Sequence, residues 1–381
     1  MSRRPRVLMV NYEFPPLGGG SANATFHMLR EIGRKAGLRV DLVTSGPSDR
    51  LETGRIGENV GLFKIPVRKA KRQYWTVREL ATWSRHALGF SRRLAAERDY
   101  DLCHCWSGWP SGIIGYTLRR KLPYLIALRG SDVPGYSSRL RLLDPLLFRH
   151  VSRRIWRSAS AVTCVSRSQV ALAERTDRSV EFRLIPNGVD TTVFHPGPDP
   201  EVFTVLFVGR LIHRKGVDHL IEAFASLGEE RGGARLVIVG DGPARNALED
   251  LARRRGVAER VMFRGATNWS GLPEIYREAS LFVLPAHEEA MSNAALEAMA
   301  SGLPIITTDT GVAEILDENG FVVPRSDPGA IADAIRRYLR DPELLRRHGE
   351  RSRERAEQMS WEGVSRDYLD LYDRILSRPG G

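Results

Sequence analysis

The chain has 381 residues, 42% hydrophobic and 27% charged, with a formal net charge of +11. That length suits two domains that each bury a core, and the composition excludes disorder as the main state. No apolar run reaches the roughly 18–20 residues of a membrane span. The run Val7–Val10 after the basic start is too short for a secretory signal, so a cytoplasmic protein is expected.

The charge is uneven. Residues 1–190 carry 33 Lys and Arg against 16 Asp and Glu, and the remainder carries 24 against 30. The N-terminal half is therefore expected to face something anionic: nucleic acid, an acidic bilayer or a phosphorylated substrate. Three cysteines make no disulfide framework. Cys103-His104-Cys105 reads as alternating residues of a buried strand, with no second ligand pair at zinc spacing, so no metal site is assigned.

In chain order, Val7–Val10 reads as a strand buried on both faces, and Asn23–Gly33 has helical spacing. Strands follow at Arg39–Val43, Leu102–Cys105, Tyr124–Leu128 and Ala161–Val165, with basic helical segments between them. Leu184–Asp190 and Phe194–Pro200 are dense in proline and glycine and mark a linker. Alternation then restarts. Strands at Val202–Val208, Arg235–Val239, Val261–Phe263, Leu281–Leu284 and Pro304–Thr307 interleave with helices at Val217–Ala225, Ala244–Arg254 and Asn293–Ala300. Two Rossmann-like, doubly wound α/β domains result, expected to face one another across a ligand cleft. The expected bounds are 1–190, 191–360 and a final helix in 361–381 that packs on the first domain.

Three motifs carry chemistry. Gly18-Gly19-Gly20 lies between the first strand and first helix, where backbone N–H groups can approach an anion. It lacks the G-x-G-x-x-G spacing, and a plain strand–helix turn is the alternative. Gly209-Arg210-Leu211-Ile212-His213-Arg214-Lys215-Gly216 places two cations five apart at the mouth of the second sheet, as a diphosphate clamp requires. The third runs from Glu288 to Pro304. Ser292 or Asn293 is a good N-cap, which leaves Glu289 in the preceding loop and Glu297 a little over one turn inside the helix. Glu297 stands within Ala-Leu-Glu-Ala-Met-Ala, where a charge asks for a partner.

These residues resemble the family 4 (group 1) glycosyltransferases of the GT-B fold. The family's E-x7-E signature falls on Glu289 and Glu297. Gly209-Arg210…Lys215-Gly216, Ile185-Pro186-Asn187-Gly188-Val189-Asp190, Val239-Gly240-Asp241-Gly242-Pro243, Gly311…Glu314…Gly320 and Ser360-Trp361-Glu362 stand in the family's order. The resemblance implies a retaining enzyme that transfers a hexose-type sugar from a nucleotide-diphosphate donor to a glycan or lipid-linked acceptor, without metal or other cofactor. It implies that Arg210 and Lys215 hold the donor phosphates, Glu297 the ribose and Glu289 the transferred sugar. Gly19 and Gly20 would close on the diphosphate, and Ser292, Asn293 and Ala294 would present the helix start.

Two departures concern this sequence. Ala290 replaces the glycine that often follows the first glutamate. Arg129, in Ala127-Leu128-Arg129-Gly130-Ser131-Asp132, stands where the family often has histidine. Arginine cannot serve as a base near neutral pH, so Arg129 is read as a phosphate or acceptor contact. Asp132 and His104 are further acceptor-side candidates, although a strand-end histidine is more often structural.

Lys69–Trp75, Val77–Arg93 and Arg139–Arg157 mix apolar residues with arginines at near-helical spacing. Such segments can lie on an anionic membrane surface, which would bring a lipid-linked acceptor close. An ordinary core-facing stripe with a solvated basic face is the alternative. A nucleotide-sugar epimerase of the same fold should lack the Glu289/Glu297 pair. A nucleic-acid-binding protein finds no supporting signature.

Overall fold

The computed structural model describes residues 4–35, 37–69, 75–136 and 147–377. Lys71, Arg72 and Tyr74 of the first basic stretch, and Arg139, Leu142, Leu143 and Leu146 of the last, lie outside the described residues. The chain divides into two compact units: Met1–Asn187 with Trp361–Gly381, and Gly188–Ser360.

The first unit is built on strands β1 (Arg6–Val10), β2 (Arg39–Gly46), β3 (Glu52–Ile56), β4 (Val60–Pro66), β5 (Leu102–Cys105), β6 (Tyr124–Ala127), β7 (Ala161–Cys164) and β8 (Phe182–Leu184). Helices α1 (Gly20–Gly33), α2 (Val77–Glu97), α3 (Ser111–Leu118), α4 (Arg149–Arg157) and α5 (Arg167–Glu174) connect them. The sheet order is β3-β4-β2-β1-β5-β6-β7-β8. β1 is parallel to both neighbours, with Val7 opposite Val40 on one side and Leu102 on the other. Its residues Val7–Val10 are fully buried, as their continuous apolar run predicts. β3 is antiparallel to β4 and mostly exposed. Its polar residues at a sheet edge hide it from a hydrophobic-pattern reading.

The second unit comprises β9 (Thr204–Val208), α6 (Val217–Ser226), β10 (Arg235–Val239), α7 (Arg245–Arg254), β11 (Val261–Gly265), α8 (Leu272–Arg277), β12 (Leu281–Leu284), α9 (Asn293–Ala300), β13 (Ile305–Thr308), β14 (Gly320–Val323), α10 (Pro328–Arg340) and α11 (Pro342–Glu357). Its strands are all parallel, in the order β11-β10-β9-β12-β13-β14. β14, α10 and α11 extend the unit beyond the elements read from sequence. Their starts are well capped: Asp327 accepts from Ala330 N–H and Asp341 from Leu344 N–H, both at 2.9 Å.

The last helix, α12 (Trp361–Leu376), belongs to the first unit. Trp361, Tyr368, Leu371, Tyr372 and Ile375 are buried on one stripe, in a core shared with Val7, Met9, Met28 and Ile32. The His27 ring stacks on Trp361 at 5.6 Å.

Two glycines fix the loops above the second sheet. Gly240 has φ +136°, and a Cβ there would stand 1.8 Å from the Gly209 carbonyl oxygen. Gly216 has φ +63°, and its Cβ would stand 2.0 Å from the Pro285 oxygen. Both positions need glycine for conformation and for space. They hold the exits of β9, β10 and β12 against one another.

Candidate active site

The β9–α6 loop carries the two expected cations. Gly209 N–H donates to Val239 O at 2.9 Å, and Leu211 N–H to Asp241 O at 3.0 Å. His213–Lys215 form a single 3-10 turn that ends at Gly216. The β12–α9 loop docks on this turn, with His287 N–H donating to Arg214 O at 2.8 Å. These contacts bring Lys215 and Glu289 together, and the Lys215 ammonium donates to Glu289 Oε2. Both side chains are 11% exposed. Burial pulls the Lys215 ammonium below the ordinary lysine range, and Glu289 opposes that shift. Gly311 N–H, donating to the Glu289 carbonyl at 2.8 Å, fixes the loop backbone from the β13 side. Arg210 is half-buried, and its charge lowers the Lys215 pKa further.

α9 starts where the sequence places it. Ser292 is the N-cap, and its Oγ accepts from Ala295 N–H at 3.3 Å. Asn293 and Ala294 form the first turn, at the positive end of the helix dipole. Glu297 is buried one turn deeper. Tyr276 Oη donates to its Oε2 at 2.9 Å, and Trp269 also hydrogen-bonds to it. Burial pushes the Glu297 carboxyl up to about 7, and the Tyr276 and Trp269 hydrogen bonds oppose the rise. Lysine, two glutamates and a helix start therefore lie along one wall of the second unit.

In the first unit, Gly19 is the N-cap of α1 and Gly20 its first residue. A Cβ on Gly19 would meet nothing within 4 Å, so the backbone there is open to a ligand. Arg129 follows β6. Its guanidinium donates to Asn187 Oδ1 and lies over the Trp106 ring at 4.5 Å. Asp132 accepts from Gly108 N–H at 2.6 Å and Arg129 N–H at 2.9 Å, which ties the exits of β5 and β6 together. Asp132, an acceptor-side candidate in the sequence, thus also positions these two loops. His104 is completely buried and hydrogen-bonds through Nδ1 to Tyr372 Oη at 2.7 Å. Burial, then the Arg129 charge, lowers its pKa to about 3, so it is neutral at pH 7. The structural reading of His104 prevails, because α12 covers it. Cys103 and Cys105 are buried on the same strand and belong to the core.

The sequence matches two family models: Glycosyltransferase Family 4 over residues 18–193 and Glycosyl transferases group 1 over residues 190–355. It is 30% identical to the GDP-mannose-dependent alpha-(1-6)-phosphatidylinositol monomannoside mannosyltransferase of Mycobacterium tuberculosis, over 96% of this chain and 97% of that one. The chain is a group 1 glycosyltransferase. An uncharacterized glycosyltransferase of Methanocaldococcus jannaschii is 27% identical over 98% of this chain and all of its own. Among solved structures, the sucrose-phosphate synthase of Thermosynechococcus elongatus superposes with a TM-score of 0.87 at 24% identity, covering 99% of this chain and all of that one. That likeness bears on the fold, which is GT-B with two parallel-sheet α/β domains.

Sequence reasoning missed the partners of Glu297 in this glycosyltransferase. Its position in an apolar run signals that a buried donor must exist. Nothing local names Tyr276, which arrives from 21 positions upstream. It also missed the direct Lys215–Glu289 contact, because the resemblance assigns the two residues to different parts of the donor.

Proposed function

We propose that this glycosyltransferase moves a hexose-type sugar from a nucleotide-diphosphate donor to a glycan or lipid-linked acceptor, with retention of anomeric configuration. The observation that carries the proposal is the buried Lys215–Glu289 pair at the mouth of α9, with Glu297 one turn deeper. Glu297 suits the ribose hydroxyls. The α9 start, Arg210 and Lys215 suit the diphosphate, and Glu289 suits the sugar hydroxyls. As the sugar–phosphate bond breaks, negative charge builds on the leaving diphosphate. Fixed cations and helix N–H groups stabilise that charge without reorganising. Arg129, held by Asn187 and Trp106, is the acceptor-side contact retained from the sequence reading. A donor related to those of the relatives fits, since one relative is named as GDP-mannose-dependent and Anabaena HepE was solved with UDP and glucose.

A thermal-shift screen of UDP-, GDP- and ADP-sugars tests this reading, because a donor that binds the folded state raises its apparent stability. One nucleotide series should raise Tm and then turn over in a transfer assay. No shift with any of them contradicts the proposal.

The basic surface offers a second, salt-dependent contact. On α2 the apolar stripe Trp83, Ala87 and Leu94 is buried in the core, and Arg78, Arg85, Arg92 and Arg93 face solvent. On α4 Ile155 and Trp156 are buried likewise. These helices therefore give their most buried apolar residues to the core, and Val77, 65% exposed, is the large apolar side chain that α2 leaves to solvent. Attraction to an anionic membrane would be Coulombic, worth about 1 kcal/mol per basic residue near the surface. Co-flotation with anionic liposomes at low salt, lost at high salt, is expected. Absence of co-flotation at low salt contradicts a membrane contact. No helix among the described residues is long and apolar enough to cross a membrane.

A further inference from the structure

Beside the donor wall lies a cluster that the proposed transfer does not use. Asp218 and His219 open α6, and His287 sits in the β12–α9 loop two residues before Glu289. One ligand atom from each of Asp218, His219 and His287 lies within 4.8 Å of the other two, and all three residues are half-buried. The His219 and His287 rings meet edge-on at 5.2 Å, and the His213 ring stacks on His287 at 5.2 Å. His287 Nδ1 is hydrogen-bonded to Ser326 Oγ at 3.3 Å, and its Nε2 is buried with no hydrogen-bond partner.

We infer that Asp218, His219 and His287 form a site for one divalent first-row transition metal ion, which braces the Lys215 turn against the Glu289 loop. Two imidazoles and one carboxylate are a borderline donor set that suits Zn2+, Co2+ or Ni2+ better than Mg2+ or Ca2+. An ion about 2.1 Å from each ligand needs donor atoms roughly 3–3.5 Å apart, so the three atoms, now within 4.8 Å of one another, would draw together on the ion. A buried imidazole nitrogen without a partner lacks the hydrogen bond that such an atom ordinarily makes, and a metal ion is one group that satisfies it. Its other nitrogen, held by Ser326, is oriented as the second nitrogen of a metal-bound histidine usually is. Water would complete the coordination.

The site is structurally distinct from the diphosphate contacts, and its position explains what it would do. His219 lies on the helix that follows Lys215, and His287 lies on the loop that carries Glu289. An ion shared between them adds a third tie to the His287–Arg214 hydrogen bond and the Lys215–Glu289 pair. This inference is independent of which donor binds.

Titration of the full chain, freed of tag and metal, with Co2+ tests it through the ion's visible d–d absorption. One equivalent should bind with bands of an N/O-ligated site, Zn2+ should displace it, and Tm should rise with metal concentration. His219→Gln and His287→Gln should each weaken binding by about 10- to 100-fold or more, and Asp218→Asn should also weaken it. His86→Gln, on the exposed face of α2, should leave it unchanged. Melting of each variant without metal separates loss of the site from loss of the fold. Absence of saturable Co2+ binding overturns the inference. Unchanged binding in folded His219→Gln and His287→Gln does so equally.

Discussion

Lys215→Met should lower transfer by about 100- to 1000-fold, the range for removing one fixed donor from a developing anion. Glu289→Gln should lower it sharply as well. The two side chains are paired and nearly buried, so each single variant also leaves the other's charge uncompensated in low dielectric. Breaking a buried pair on one side costs about 3–5 kcal/mol of stability. The double variant Lys215→Met/Glu289→Gln removes both charges together. It should recover much of that stability and none of the activity. Melting curves beside initial rates separate the two effects. If the single variants turn over like the parent, Lys215 and Glu289 are not in the site. If the double variant regains activity along with stability, the pair is only structural.

Glu297→Gln should make the ligand-free protein more stable at pH 8 while weakening the donor. The folded carboxyl titrates near 7 against an ordinary value of 4.5. Between those two pH values the native state keeps a proton that the unfolded chain releases. Stability therefore falls as pH rises through that window, by up to about 3 kcal/mol, and the loss is complete above it. Glutamine carries no such slope and still accepts from Tyr276. Urea melts of both proteins at pH 5 and pH 8 should show the variant gaining at pH 8 relative to pH 5. An equal difference at the two pH values would contradict the assignment. A carboxylate held against its own stability fits a group that needs a ligand's hydroxyls.

The central strands were legible because parallel strands buried on both faces are continuous apolar runs, as in Val7–Val10 and Leu281–Leu284. β3 was not, since Glu52, Thr53 and Arg55 pair at an edge where burial does not constrain them. Ser292 as an N-cap was readable from residue type and position. The contacts between loops were not. Lys215 and Glu289 are 74 positions apart and meet because Gly216 lies against Pro285 and His287 donates to Arg214. His104 shows the same limit. Its partner Tyr372 is 268 positions away, on a helix whose packing against this strand no local pattern specifies. Residue type named the candidates, and long-range packing decided which became structural.

The proposed function places two glutamates on one donor, the ribose at Glu297 and the sugar at Glu289. The most direct measurement is calorimetric binding of a nucleoside diphosphate and of the matching nucleotide sugar to the parent, Glu297→Gln and Glu289→Gln. Glu297→Gln should lose about 10-fold or more for both ligands, as loss of a hydrogen bond to a charged group implies. Glu289→Gln should lose affinity for the nucleotide sugar and little for the nucleoside diphosphate. Equal losses for both ligands in both variants, or a sugar-selective loss in Glu297→Gln, would contradict the assignment.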